Sequence, residues 1–215
     1  EACLDPESGL AFVVQGSRRV LALPADGGAK PGVRWEHAEA GPVLGGIVCG
    51  KGRVVLLPRK GQSAALIKGL DAATGKLLWK RPTGSLEISE ARLLPEGLVA
   101  VTAHPKGTGA GCWDPETGEP RWREELWSRR FAGSCLPLSS GVLVWGEDLD
   151  EAVLLDPASG KLLRRYVFRG DPASQVLPLE GGGFLWGGEH SLAACLPRGE
   201  LEALTPLWGL RDLDP

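Results

Sequence analysis

The sequence predicts an all-β fold, a β-propeller of about five four-stranded antiparallel blades. Three observations carry that expectation. A turn motif recurs about every 42 residues, the stretch between successive turns repeats as well, and each unit holds four short apolar runs with no helical period.

The turn motif is clearest in Leu70–Trp79, Trp113–Trp122 and Leu155–Arg164. Each has Asp, then two variable residues, Thr or Ser, and Gly, and Asp71, Asp114 and Asp156 are 43 and 42 positions apart. Asp accepts local backbone N–H groups, Pro presets φ for the next position, and Gly supplies the positive φ that re-enters the following strand. Gly75, Gly118 and Gly160 fill that last role, so each motif reads as the turn of a hairpin. Degenerate copies flank the three: Leu23–Gly28 leads to Trp35, and Cys195–Gly199 leads into Leu201.

The other half of the unit repeats too. Ser134–Leu138 followed by Val142–Gly146 corresponds to Gln175–Leu179 followed by Gly183–Gly187, with Trp145 and Trp186 41 positions apart. Leu94–Val101 and, more loosely, Val48–Leu57 echo the pattern, and Cys3–Leu4 with Ser8–Gly9 opens the first unit. In the fourth unit the strands A to D are expected at Ser134–Leu138, Val142–Trp145, Ala152–Leu155 and Leu162–Phe168. Four strands in 40 to 45 residues describe a propeller blade, with a two-sheet sandwich as the alternative. The blades are expected at about 1–38, 39–83, 84–128, 129–170 and 171–212, forming one domain over 1–215.

The run Asp71–Trp79, with Thr74 and Gly75 inside it, resembles the repeat of the quinoprotein-like, pyrroloquinoline-quinone-type propellers. That family includes quinoprotein alcohol dehydrogenases and the cofactor-free outer-membrane assembly lipoproteins. The resemblance implies that the strand D Trp packs on the neighbouring blade's turn, a structural role for Trp79 and Trp122. Trp35 fits the pattern less well, and Arg164 stands in that place in the fourth unit. Family members usually have about eight blades. Five units therefore form either a closed ring of five, the reading preferred here, or an arc of a larger ring.

Composition narrows the function classes. The chain has 24 basic and 27 acidic residues and a net charge of -3, so nucleic acid and anionic membrane surfaces are poor partners. The longest apolar runs are strand-length, well short of a membrane span. There is no Met and no Asn, which resembles thermophile usage, and the missing initiator implies that an N-terminal segment has been removed. Cys3, Cys49, Cys112, Cys135 and Cys195 are too dispersed for a zinc ribbon or a redox pair. They read as small buried hydrophobes, with one disulfide as an alternative.

The resemblance implies that quinone chemistry needs a calcium ion held by Glu, Asn and Asp and an adjacent-cysteine disulfide. This chain has neither Asn nor adjacent cysteines, so no cofactor is expected. His37, His104 and His190 fall in different units without ligand spacing, and no metal site is expected. No nucleophile-elbow motif occurs. Glu147, Asp148, Asp150 and Glu151 read as a solvated acidic turn, with carbohydrate hydrolysis or calcium binding as rivals.

B-to-C and D-to-A loops share one face of a propeller. In order, the B-to-C loops carry Arg18 and Arg19, Arg59 and Lys60, His104 and Lys106, the acidic run from Glu147, and Glu189, so one side is basic and the other acidic. The D-to-A segment Leu126–Phe131 adds Trp127, Arg129 and Arg130, residue types enriched in binding hot spots. Packing of Trp127 and Phe131 between blades is an equal alternative. The expected function is a non-catalytic module binding protein or peptide through Arg59, Lys60, Trp127, Arg129, Arg130 and Glu147. The resemblance implies a periplasmic or other extracytoplasmic location, with the cytoplasm as the alternative. A small hydrolase using the acidic loop is the rival from another class.

Overall fold

The computed structural model describes residues 2–16, 18–26, 32–38, 44–59, 66–84, 86–146, 148–168, 172–188 and 192–196. Local turn chemistry sets the layout. In each of the three strong motifs the Asp carboxylate accepts backbone N–H groups inside the turn: Asp71 from Thr74 at 2.9 Å, Asp114 from Glu116 at 2.8 Å and Asp156 from Ala158 at 2.8 Å. The glycine N–H then closes back onto the Asp carbonyl, and Gly75, Gly118 and Gly160 take φ of 70°, 71° and 75°. That left-handed conformation is strained for any residue with a Cβ.

Between the turns the apolar runs pair into five antiparallel sheets. The first holds β1 (Ala2–Asp5), β2 (Leu10–Gln15), β3 (Arg19–Pro24) and β4 (Trp35–Ala38). The second holds β5 (Leu44–Gly50), β6 (Arg53–Pro58), β7 (Leu66–Asp71) and β8 (Leu77–Pro82). The third holds β9 (Glu87–Leu94), β10 (Gly97–His104), β11 (Gly107–Trp113) and β12 (Pro120–Trp127). The fourth holds β13 (Gly133–Leu138), β14 (Gly141–Gly146), β15 (Glu151–Leu155) and β16 (Leu162–Val167), within a residue or so of the four strands expected there. The fifth has β17 (Ala173–Pro178), β18 (Phe184–Gly188) and β19 (Leu192–Cys195), and its expected outer strand from Leu201 lies outside the described residues. The architecture is the predicted all-β propeller.

The inner strands of successive sheets lie against one another, β1 on β5, β5 on β9, β9 on β13 and β13 on β17. Central strands are covered on both faces, which is why β10 and β11 are buried almost throughout, while the outer strand β12 is largely exposed. Among the described residues β17 and β1 share no contact comparable to those between successive inner strands.

Each seam between blades is made by a large side chain on the outer strand. The indole N–H groups of Trp35, Trp79 and Trp122 donate to the carbonyls of Ala72, Pro115 and Pro157 in the next sheet's turn, each at 2.9 Å. Trp35 thus makes the contact its irregular spacing argued against, because the β3–β4 ladder sets it opposite Ala22 whatever the length of its own turn. At the fourth seam, where Arg164 replaces the Trp, Phe168 stacks on Trp186 at 3.6 Å and Tyr166 meets Phe184 edge-on at 5.0 Å.

Candidate functional site

The candidate face is built from the ends of strands at the seams between the second, third and fourth sheets. At the third sheet, β10 turns into β11 at His104–Gly107, and the segment after β12 runs beside this hairpin. Thr108 fixes that neighbourhood: its hydroxyl accepts the Phe131 N–H at 3.0 Å and donates to the Phe131 carbonyl at 3.2 Å. Phe131 is packed so closely that a Cβ on Gly146 would sit 2.5 Å from its ring.

Trp127 is half-buried, meets Phe131 edge-on at 5.2 Å, and donates its indole N–H to Glu151 at 2.8 Å. Arg165 holds the same Glu151 carboxylate oxygen. These two partners tie one member of the acidic run into the seam between the third and fourth sheets. Asp148 is exposed and Asp150 half-buried, while Glu147 lies outside the described residues.

Two arginines, Arg129 and Arg130, lie in the chain between Trp127 and Phe131. Arg129 and Arg130 are exposed, and Arg130 pairs with Glu87 at the start of β9. Arg59 is exposed at the end of β6, and Lys60 lies outside the described residues. A small cleft of about 130 Å³ lies between the second and third sheets, lined by Pro58 and Ile88 among others. Arg59 and Glu87 are the chain neighbours of those two residues, while the charged side chains that line the cleft are Glu90 and Arg92. Its volume falls below the roughly 300 Å³ at which pockets begin to enclose small ligands.

Sequence reasoning missed these inner-strand charges. Glu90 accepts the Cys135 N–H at 3.3 Å and pairs with Arg92. Their alternation along β9, with Ile88 and Ala91 buried, is the signal that could have placed them. The His104 Nδ1 accepts the Lys106 N–H at 3.3 Å, and its Nε2 lies 3.9 Å from Glu125.

The eight repeat residues Asp71, Gly75, Trp79, Asp114, Gly118, Trp122, Asp156 and Gly160 all lie at the C-to-D turns and outer strands, away from this face. Thr74 hydrogen bonding holds the Asp71 carboxyl below the usual carboxylate range, and Arg121 does the same for Asp114. No disulfide joins the five cysteines, and burial pushes the Cys112 thiol up to about 11 and those of Cys135 and Cys195 up to about 12. Among the described residues no group of three or more His, Cys, Asp and Glu side chains is arranged to hold a metal, and no helix is long and apolar enough to cross a membrane.

Antiparallel sheets packed inner strand on inner strand, with Asp-to-Gly turns and an indole docked on the next sheet's turn at three of the four seams, form a β-propeller whose repeats resemble the quinoprotein type. The chain resembles BamB: the family model described as "Outer membrane protein assembly factor BamB" matches residues 7–108. Comparison with curated proteins finds no match. Among solved structures, BamB from Moraxella catarrhalis superposes with a TM-score of 0.63 at 15% identity, covering 90% of this chain and 60% of that one. Quinohemoprotein alcohol dehydrogenase from Comamonas testosteroni gives 0.60 at 17% identity, covering 87% and 40%. A europium-containing methanol dehydrogenase gives 0.61 at 12% identity, covering 86% and 47%. The chain thus spans 60% or less of these structures.

Proposed function

We propose that this propeller is a non-catalytic scaffold that binds a protein or peptide through the loop face bearing Arg59, Lys60, Trp127, Arg129, Arg130 and Glu147, outside the cytoplasm. The observation that carries the reading is the Trp127–Phe131 pair held by Thr108 and Glu151, with the exposed Arg129 and Arg130 between the two in the chain and Arg130 paired with Glu87. Rigid aromatics flanked by exposed arginines offer area and directed hydrogen bonds at low entropic cost, as protein-binding faces do. The likeness to an outer-membrane assembly factor supports the partner class and the location. The residue set does not fit the quinone cofactor, since the chain lacks both Asn and an adjacent cysteine pair.

Charge reversal tests the reading. The parent and an Arg129→Glu/Arg130→Glu variant are compared for capture of an unfolded outer-membrane β-barrel protein kept in dilute denaturant. Both arginines are exposed, so the variant should melt like the parent and capture at least ~10-fold less, a loss of about 1.4 kcal/mol. Equal capture by parent and variant contradicts it.

A further inference from the structure

One stagger between facing inner strands recurs from seam to seam. In each sheet the second strand has a residue paired with the one just ahead of the C-to-D turn: Ala11 with Leu23, Val54 with Leu70, Leu98 with Trp113, Val142 with Leu155 and Phe184 with Cys195. The first sheet keeps this alignment, since the Ala25 N–H bonds the Gly9 carbonyl as the Ala72 N–H bonds that of Gly52. Inner-strand residues can be counted from that level. At the third seam Glu90, opposite Val101 and so three steps from it, accepts the backbone N–H of Cys135, opposite Val144 and two steps from it, at 3.3 Å.

A side chain on the earlier sheet therefore faces the position one step lower on the later sheet, and strand alternation carries the same facing two residues along. At the second seam that pair is Val48 and Leu93, and both pack on the core shared by the second and third sheets. The gap there is narrow: Leu93 Cδ2 lies 3.5 Å from where a Cβ on Gly50 of β5 would stand. The third and fourth seams have Arg92 with Pro137 and Leu136 with Pro178 at these positions. At the first seam the pair is Cys3, opposite Phe12, and Cys49, opposite Val54. Both are half-buried, and both pack on the core shared by the first and second sheets, against residues such as Phe12 and Ile47.

We propose that Cys3 and Cys49 are an oxidisable pair that closes into a disulfide across the first seam and staples the first blade to the second. Such a bond needs two Cβ vectors aimed at each other over a short gap, which the facing positions of adjacent inner strands supply and a spacing of 46 residues in sequence conceals. The oxidant is a small-molecule disulfide such as oxidised glutathione. The thiolate of one cysteine attacks it, forming a mixed disulfide and releasing one glutathione thiolate. The thiolate of the other cysteine then attacks the protein sulfur of that mixed disulfide and releases the second. The protein gives up two electrons and two protons, which leave as two molecules of reduced glutathione. Cys112, Cys135 and Cys195 are buried and stay out of the exchange. This inference stands independently of the loop-face reading.

The test treats the folded 215-residue chain with oxidised glutathione, quenches with iodoacetamide, and maps the peptides by mass before and after dithiothreitol. One intramolecular cross-link should appear, joining the peptides that hold Cys3 and Cys49, with a mass two hydrogens below their sum. Oxidation should raise Tm by at least about 4 °C, because the closed loop is long, and dithiothreitol should reverse the rise. Cys49→Ser should lose both the cross-link and the rise, retaining a glutathione adduct on Cys3. Four results overturn the proposal: glutathione adducts standing on Cys3 and Cys49 together in the parent, both thiols left unmodified, a cross-link between any other pair or between two molecules, or a Cys3–Cys49 cross-link that leaves Tm unchanged.

Discussion

The indole N–H of Trp79 donates to the Pro115 carbonyl at 2.9 Å, and its ring occupies the space a Cβ on Gly118 would need, 2.5 Å away. The two residues lie in neighbouring blades and are complementary by construction: a large planar ring needs a turn residue without a side chain. Trp79 is 8% exposed, so Trp79→Ala should cost about 3–5 kcal/mol, the range for emptying a large aromatic site.

The glycine side of this pairing gives a comparison of two effects. Gly118→Ala meets both a φ of 71° and the Trp79 ring, whereas Gly9→Ala meets only a φ of 64°, with nothing within 4 Å. Gly9→Ala should cost about 1–2 kcal/mol, the left-handed penalty alone. Gly118→Ala should exceed it clearly in denaturant melts, and equal costs would mean that the Trp79 ring yields freely.

Acid should weaken the turns in order of their support. The folded-state pKa values of Asp71 and Asp114 are depressed, by the Thr74 hydrogen bond and by Arg121 respectively. Their contribution is therefore fully present above the ordinary carboxylate value near 3.9 and is lost as pH falls through the depressed folded values. Asp71→Asn/Asp114→Asn should flatten the fall of Tm between about pH 5 and pH 2. A fall as steep as the parent's would place the acid-labile groups elsewhere.

The thiols should divide by burial. Cys112, Cys135 and Cys195, with thiols raised to about 11, 12 and 12, should resist alkylation in the folded protein and react once it is unfolded. Mass mapping of iodoacetamide adducts under native conditions checks this, with rapid native labelling of Cys135 the contrary result.

Much of the fold was legible because the repeat is written in local chemistry. The Asp-to-Gly turns act within five residues, so Asp71, Asp114 and Asp156 announced their hairpins from sequence alone. What the sequence hid are the contacts between blades. Phe168 on Trp186 joins residues of different units with no shared motif, and Trp35 finds Gly75 through ladder register, not through its own turn. The candidate face was legible in residue types and loop order. Its constraints were not, since Glu151 belongs to a run of charges that reads as solvated, yet Trp127 and Arg165 reach it from other strands.

The loop-face account is tested most directly by hydrogen exchange of the 215-residue chain, free and with the unfolded outer-membrane β-barrel protein bound. Binding should slow exchange in the segment 126–132 and around Arg59, leaving the opposite turns 71–75, 114–118 and 156–160 unchanged. Protection confined to those turns, with the 126–132 segment exchanging as in the free protein, would contradict it.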